Sequence, residues 1–397
     1  MQKTLLTLAC LACFSTAAVA NTQVTVYGTI DLGFSFLNQN NGTHQFTMED
    51  SQQTMDRIGI KGVEDLGNGY KVGFILENGY NADNGSFADS KRLFNRESTL
   101  YVEGPFGKLG FGRIGEFRSG NGSWCLYGAA IAPFSTAWGR GVPGHRAVMA
   151  GGWGRLDNAV AYKTPSLNGF TLYAQYSGGM NGVDNPNENN TKADRYYSAA
   201  ASYRYGPLYT VLIFDRQDTA SYQKHNVHNP LTVSGAVTYD SSFGKLFFDA
   251  QYFDQARIGR NPIKTEGMST TTSSGYVDGF GLNVGIKSPV WGGFVYSNAG
   301  FMNAKNTDNH EEKMKRWTIA LGYQYYLSKE TFLYGAVGYY QDHYKKDVEN
   351  KIHPVSTIFL NALFIRNYLE LWHIFIIMQH CIKILLIFIS HIRHLLI

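Results

Sequence analysis

The sequence predicts an all-β fold, a sixteen-stranded antiparallel transmembrane β-barrel whose third long loop folds inward. The prediction rests on long segments of alternating side chains, on connections that alternate between short and long, and on composition. In residues 24–36 the even positions are apolar or glycine and the odd positions are mostly polar, and residues 231–239 and 317–325 repeat the pattern. Such a period of two is typical of a strand with one wet and one apolar face. Strands of soluble domains usually have about 5–6 residues, so the first segment is long enough to indicate a membrane strand.

The connections fall into two classes by length. The short ones are residues 64–69, 104–107, 165–169, 206–208, 241–245, 289–292 and 328–331. The long ones are residues 37–54, 81–92, 114–154, 178–193, 218–230, 256–274, 303–315 and 342–353. Short turns on one rim and long loops on the other are the architecture of bacterial outer-membrane barrels. These connections join sixteen strands, the last expected after about residue 353, and a barrel of that size leaves an aqueous channel.

Composition favours the same fold. Charged residues make up 17% of the chain, against about 25% in a typical soluble domain, while aromatic residues reach 14% and 43 residues are glycine. A soluble β-sandwich also alternates, but it does not combine so many long alternating segments with two rims of different character. The formal net charge of +4 gives no reason to expect a nucleic-acid partner.

The two ends differ from the body of the chain. Residues 1–20 combine a short basic start, an apolar run and an Ala-Val-Ala site, which predicts a secretory signal peptide. Residues 21–354 then form the barrel. Residues 355–397 contain no glycine and are rich in isoleucine, leucine and histidine. We interpret them as an atypical tail, produced by a frameshift or readthrough, that replaces or follows the last strand; the alternative is a natural extension with its own role.

The connection at residues 114–154 stands out among the long loops. It runs about forty residues without sustained alternation and is rich in glycine, with two prolines and charges of both signs. Irregular loops longer than about 12–15 residues are uncommon in compact domains and are usually functional. We therefore expect this loop to fold into the barrel and narrow its lumen.

Three segments resemble a known family. Residues 56–71 read DRIGIKGVEDLGNGYK, residues 94–113 read FNRESTLYVEGPFGKLGFGR, and residues 155–170 read RLDNAVAYKTPSLNGF. Together they resemble the general trimeric porins of Gram-negative bacteria, in the beta-proteobacterial and Pasteurella-like branch, over about residues 21–353. The resemblance implies a homotrimer in the outer membrane, in contact with its lipid and lipopolysaccharide. It also implies passive diffusion of ions and small hydrophilic solutes, with no catalysis and no cofactor.

The resemblance also implies a constriction, at which an arginine cluster on the wall faces acidic groups on the inward loop. The wall residues are Arg57, Arg96 and Arg155, and the best acidic candidate is Glu116. The corresponding constriction loop includes Gly115, Glu116, Phe117 and Arg118.

The alternation supports these assignments unevenly. Arg57 and Lys61 lie on the face opposite Ile58 and Ile60, which points both to the lumen. An arginine on the lipid face at mid-bilayer costs about 2–4 kcal/mol, which favours the lumen. Arg155 lies opposite the face of residues 156, 160 and 162. Arg96 shares its parity with residues 100 and 102, so its inward direction rests mainly on the resemblance.

Positive groups at the waist predict a mild anion preference, because rings of charge tune which ions pass. The cations are Arg57, Lys61, Arg96, Arg113 and Arg155, and the acids set against them are Glu116, Glu77 and Asp31, so the balance is positive. The alternative is that the arginines merely pair with acids and brace the loop. A metal site at His225 and His228 is disfavoured, because the pair sits in an outer loop without a set of further ligands. No catalytic grouping stands out, which disfavours the rival function of an outer-membrane hydrolase.

Overall fold

The computed structural model describes residues 23–38, 44–135, 137–139, 142–152, 154–220, 228–258, 275–346 and 349–353. The predicted signal peptide and the atypical tail lie outside these residues. Among the described residues, no helix has both the length and the apolar character to cross a membrane.

Nearly all of the regular structure is β. The strands are β1 (Gln23–Thr29), β2 (Leu32–Asn38), β3 (His44–Asp50), β4 (Arg57–Gly67), β5 (Tyr70–Asn81), β6 (Ser86–Phe87), β7 (Glu97–Gly104), β8 (Gly107–Gly115), β9 (Arg155–Lys163), β10 (Phe170–Ser177), β11 (Arg195–Tyr205), β12 (Leu208–Asp218), β13 (Leu231–Ser241), β14 (Gly244–Arg257), β15 (Tyr276–Val290), β16 (Gly293–Asn306), β17 (Lys313–Tyr326), β18 (Phe332–Lys346) and β19 (Glu349–His353). Two single-turn 3₁₀ helices, Gly128–Ala130 and His145–Val148, lie between β8 and β9.

The strands form one antiparallel meander. β1 pairs with β4, β4 with β5, β5 with β7, and each later strand pairs with the next as far as β19. β2 and β3 pair separately and extend the first hairpin, and β6 is a two-residue strand in a loop. If β1 and β2 are counted as one pass, and β3 and β4 as another, the strands from β1 to β18 make fifteen passes, and β19 pairs with the long-loop end of β18. The sixteenth strand, predicted after about residue 353, lies outside the described residues.

The alternation separates two faces of the wall. On β12, Leu212 and Phe214 are 57% and 45% exposed, whereas Val211 and Ile213 are buried on the other face. Exposed large apolar side chains form the lipid face, since a barrel closes all backbone hydrogen bonds between strands and leaves only side chains to meet lipid. The buried face points inward.

Contacts between the ends of the meander bring the first passes against the last long ones. The Tyr334 hydroxyl of β18 donates to Asp31 Oδ1 at 2.6 Å. Beyond β3, Gln53 Nε2 donates to Gln324 Oε1 of β17 at 2.8 Å. These side chains lie on the inner face, so the wall curves back on itself around a lumen.

Three long loops prove shorter than predicted, and one of them, predicted at residues 303–315, spans only residues 307–312 between β16 and β17. The connection predicted at residues 37–54 contains β3, and β18 continues to Lys346 before β19 pairs with it where a loop was expected at residues 342–353. The reason is physical: polar residues beyond the membrane keep their backbone hydrogen bonds with the neighbouring strand. The change from apolar to polar residues marks where the lipid-facing segment ends. Backbone hydrogen bonding to the neighbouring strand determines where the strand itself ends.

Candidate functional site: the lumen and its inward loop

The connection between β8 and β9, residues 116–154 and here called the inward loop, lies against the far wall of the barrel. Its Ala150 N–H donates to Gln251 Oε1 of β14 at 2.8 Å. A Cβ added to Gly281 of β15 would overlap the carbonyl oxygen of Val148, so the loop backbone rests directly on the wall there. The inward fold predicted from the sequence is confirmed.

The loop turns inward at Gly115 and Phe117. Gln175 Nε2 of β10 donates to the Gly115 carbonyl at 3.0 Å. A Cβ on Gly115 would overlap the carbonyl oxygen of Asn121, which makes glycine necessary for this tight turn. The Phe117 ring is fully buried and packs edge-on against Tyr173, with 5.7 Å between ring centroids.

Arg118 holds this end of the loop. Its Nε lies 3.0 Å from Asp215 Oδ2 on β12, its Nη1 donates to the Ala150 carbonyl at 3.0 Å, and its Nη2 lies 3.5 Å from Glu116 Oε2. Gly151, at a φ of 104°, leaves room for the guanidinium, which a Cβ there would overlap. Burial raises the pKa of Glu116 despite the nearby charge of Arg118.

An aromatic cluster anchors the middle of the loop. Trp138 packs against Phe134 of the loop and against Tyr296 and Tyr334 of the wall, with centroid distances of 4.9, 4.7 and 5.3 Å. Gly322 of β17 lies beneath it, where a Cβ would stand 2.9 Å from the Phe134 ring. Aromatic pairs at these distances are favourable beyond the area that they bury.

A third anchor lies where the loop passes β17. Arg316 donates to both Asp342 oxygens at 2.6 Å and to the Ala147 carbonyl at 3.0 Å, all in a buried setting. Nearby, His145 Nδ1–H donates to the Ser135 carbonyl at 2.7 Å. Burial lowers the pKa of His145 to about 3, so this imidazole is neutral and braces the loop without adding charge to it.

The predicted basic wall gathers around Glu77 of β5. Arg96 Nε donates to Glu77 Oε1 at 2.6 Å, and Arg57 Nε lies 3.4 Å from Glu77 Oε2. The Tyr27 hydroxyl donates to Glu77 Oε2 at 3.0 Å, and Lys61 Nζ lies over the Tyr27 ring, 5.4 Å from its centroid. The structure therefore brings Arg57, Lys61 and Arg96 together on the lumen face.

Arg96 reaches this group because it precedes a strand. β7 begins at Glu97, so Arg96 lies outside the strand. The alternation that places Leu100 and Val102 on one face therefore does not determine where the Arg96 side chain points. Glu97 itself faces inward, directly opposite Glu77, and its Oε2 accepts a hydrogen bond from Ser123 N–H at 2.9 Å. The inward loop therefore reaches the basic wall through the carboxylate of Glu97.

The strand that carries Arg155 departs from simple alternation. Leu156 is buried with Ile114 in the core beneath the inward loop, while Val160 is 38% exposed on the lipid face. The register of β8 and β9 shifts between Gly112 and Ile114, and Asn158 has a φ of 50°. The expectation that Leu156 and Val160 share a face is therefore wrong, because bulges of this kind move one side chain to the other face.

Arg155 nonetheless joins the basic wall. Its guanidinium interacts with the charges of Arg96, Arg113, Glu77 and Glu97. Its Nε and Nη2 are buried without a hydrogen-bond partner among the described residues. Buried polar groups are normally paired; because these two N–H donors are buried, Arg155 acts on the lumen through its charge and not through direct contact with a solute.

The structure distributes the acids differently from the sequence-based picture. Glu116 is paired with Arg118 and stands beside the far wall, while the carboxylates beside the basic wall are Glu77, which the sequence already placed among the opposing acids, and Glu97. Sequence reasoning does not single out Glu97 or the Arg316–Asp342 pair. Alternation could have identified Glu97, because it lies two residues before Thr99 and four before Tyr101, and both of these face inward.

Among the described residues, no group of three or more histidine, cysteine, aspartate or glutamate side chains is arranged to hold a metal ion. His228 Nε2 lies 3.5 Å from Asp308 Oδ1, and its ring stacks on Tyr276 with 4.2 Å between centroids. His225 lies outside the described residues. The His228 contacts suit a side chain that ties neighbouring loops together.

The family described as Gram-negative porin matches residues 7–344. The chain belongs to this family. It is 32% identical over 375 residues to an outer membrane porin protein of Bordetella pertussis, and the alignment covers 85% of this chain and 94% of that protein. It is 29% identical over 349 residues to outer membrane porin protein 32 of Delftia acidovorans, covering 85% of this chain and 89% of that one.

Solved structures show the same fold. An anion-selective porin from Comamonas acidovorans superposes with a TM-score of 0.63 at 23% identity, covering 87% of this chain and all of that one. The outer membrane protein OmpT of Vibrio cholerae, with a loop deletion, reaches 0.56 at 12% identity, over 86% and 98% of the two chains. This protein is thus a porin of the Gram-negative outer membrane, a channel for passive diffusion of ions and small hydrophilic solutes.

Proposed function

We propose that this porin conducts anions in mild preference to cations, and that the basic wall sets the preference. The supporting observation is the concentration of positive charge where Arg155 lies beside Arg57, Lys61 and Arg96. Those four cations face two carboxylates, Glu77 and Glu97, which leaves an excess of positive charge. The name of the Comamonas porin records anion selectivity in a protein of the same fold.

The same proposal includes a homotrimer in contact with outer-membrane lipid and lipopolysaccharide. It involves no catalysis, cofactor or metal. Gly115 and residues 116–118 form the constriction loop. Support comes from the family resemblance and from the apolar outer face of the first strands, where Val24, Val26 and Ile58 are exposed.

Reversal potentials in a salt gradient test the anion preference. We expect the wild type to favour chloride over potassium, and Arg57→Ser to reduce that preference because one lumen charge is lost. The effect should shrink between about 0.1 M and about 1 M salt, since the Debye length falls from about 10 Å to about 3 Å.

Arg216→Ser is the matched control, because Arg216 is exposed on the outer face at the long-loop end of β12; its reversal potential should equal that of the wild type. A wild type that prefers cations refutes the proposal. If Arg57→Ser alters stability but not the reversal potential, the arginines only brace the loop.

A further inference from the structure

A second set of cations lies in the lumen, away from the basic wall. We call it the basic mouth: Lys71, Lys108, Lys163, Arg204, Lys245 and Lys287. Each is within three residues of a strand end at a short connection. In outer-membrane barrels the short turns face the periplasm, so the basic mouth surrounds the periplasmic opening.

The registers direct these side chains inward. Lys163 lies directly opposite Tyr173, whose ring contacts Phe117 of the inward loop. Lys287 lies directly opposite Tyr296, whose ring contacts Trp138 of the inward loop. Directly opposite residues of neighbouring strands share one face of a sheet. The face that meets the inward loop is the lumen face, so the basic mouth lines the channel.

Two pairs of lysines are placed directly across from each other. Lys108 is opposite Lys163, and Lys245 is opposite Lys287. Like charges in such positions destabilise a sheet, so the strands keep these pairs at a cost in stability. Three acids share the mouth: Asp65 lies opposite Lys71, Glu103 lies between Lys71 and Lys108 and opposite both, and Asp240 lies opposite Lys245. Six cations against three carboxylates leave the opening positive.

Aromatic rings lie beside several of these cations. Lys108 Nζ lies 3.8 Å from the Tyr101 centroid and 5.2 Å from the Trp124 ring of the inward loop. Arg204 lies 4.6 Å from Tyr209. A cation over a ring is held in position electrostatically, yet a lysine there keeps its N–H donors for another acceptor.

Lys287 shows the same arrangement, 4.4 Å from Phe294 and 5.1 Å from Tyr296. The basic wall is different, because there Arg57 and Arg96 form ion pairs with the carboxylate of Glu77. Positioned cations without a bound carboxylate are suited to an exchangeable anion.

We propose that the basic mouth is a second anion site, which binds small multivalent oxyanions of the phosphate and pyrophosphate class that approach from the short-turn side. Opposed residues have Cβ atoms about 4.5–5.5 Å apart, so each lysine pair presents two ammonium groups to one multivalent anion. The nearest members of the two pairs, on β9 and β14, are five strand spacings apart, about 24 Å along the wall at about 4.8 Å per strand, so the pairs act as separate sites. This inference rests on the lumen being an open channel.

Block of chloride current in planar bilayers tests the site, with inorganic pyrophosphate as the probe added to one side and then the other. In the wild type we expect block at a lower concentration from one side. The quadruple variant Lys108→Gln, Lys163→Gln, Lys245→Gln, Lys287→Gln should need at least about tenfold more pyrophosphate from that side, because charge-assisted hydrogen bonds are lost. Each double variant, covering one opposed pair, should show part of the effect.

The control variant Lys313→Gln, Lys315→Gln removes two exposed lysines from the outer face at the long-loop end of β17, and its block should match the wild type. Arg57→Ser should change the reversal potential but leave the pyrophosphate concentration for half-block unchanged. Equal block of wild type and quadruple variant, or equal block from both sides, overturns the basic-mouth proposal alone. A wild type that carries no current overturns the channel on which the proposal rests.

Discussion

Arg118→Met is the perturbation that most directly tests how the inward loop is held. In the native protein one buried guanidinium contacts Asp215, Glu116 and the Ala150 carbonyl. Methionine fills a similar volume but supplies no charge and no donor. The variant therefore leaves two carboxylates and one carbonyl buried together without their shared cation.

The size of the effect follows from burial. Removing one partner of a buried ion pair costs about 3–5 kcal/mol, because the remaining charge stays desolvated. The Ala150 carbonyl loses a hydrogen bond from a charged group, which adds about 1.5–3 kcal/mol. Asp215 retains hydrogen bonds from Tyr196 and Thr232, so the larger share of the penalty falls on Glu116. A penalty of this size is enough to displace the first turn of the loop.

The penalty depends on pH through Glu116. Burial already raises the pKa of this carboxyl in the folded protein, and loss of Arg118 removes the charge that opposes the rise. A folded-state pKa above the unfolded value gives stability that is present at low pH and lost as pH rises through the folded pKa. Arg118→Met should therefore be least disturbed near about pH 5 and most disturbed near about pH 8, since an unperturbed glutamate has a pKa of about 4.3.

Single-channel recording and thermal unfolding provide the measurements. We expect Arg118→Met to show larger current fluctuations and a lower unfolding temperature than the wild type, with both differences larger at the higher pH. The double variant Glu116→Gln, Arg118→Met removes the titrating group, so its pH dependence should disappear. Arg216→Met removes an exposed outer-face arginine and should behave as the wild type. If Arg118→Met matches the wild type in noise and stability at both pH values, the buried network does not hold the loop.

Two further substitutions test the other loop anchors. Trp138→Ala should cost about 3–5 kcal/mol and lower the unfolding temperature with noisier single-channel current, whereas Trp291→Ala, at a position 72% exposed on a short turn, should leave both unchanged. Gly281→Ala places a methyl group against the Val148 carbonyl and should change single-channel conductance by lifting the loop from β15. Gly235→Ala, where the nearest atom to a new Cβ is 3.8 Å away, should not; equal conductance in the two glycine variants would contradict direct contact between loop and wall.

The barrel was predictable because its signal is local. Alternation along a strand needs only the sequence of that strand, and the face of Arg57 and Lys61 follows from neighbours one and two residues away. The inward loop was recognisable from its length and glycine content, although neither feature says which wall it meets. That information lies in complementary contacts such as Gly281 with Val148, which join residues far apart in sequence.

The charged partners were harder to predict for the same reason. Glu116 is close to Arg118 in sequence and pairs with it, yet the acid that serves Arg57 and Arg96 is Glu77, a neighbour only across strands. Leu156 shows a second cause of error. One register shift between β8 and β9 moves a residue to the opposite face of the sheet. The alternation of polar and apolar residues in the sequence does not reveal where such a bulge occurs.

Pairing with carboxylates and loop carbonyls separates the lumen charges into two groups with different consequences. Arg118 and Arg316 are buried and saturated by carboxylates and loop carbonyls, so they fix the loop and contribute little field to the channel. Arg155 and the basic-mouth lysines lack such saturation, so their charge remains available to solutes. Substituting the first group should therefore change the shape and noise of the channel, while substituting the second should change which ions enter it and from which side.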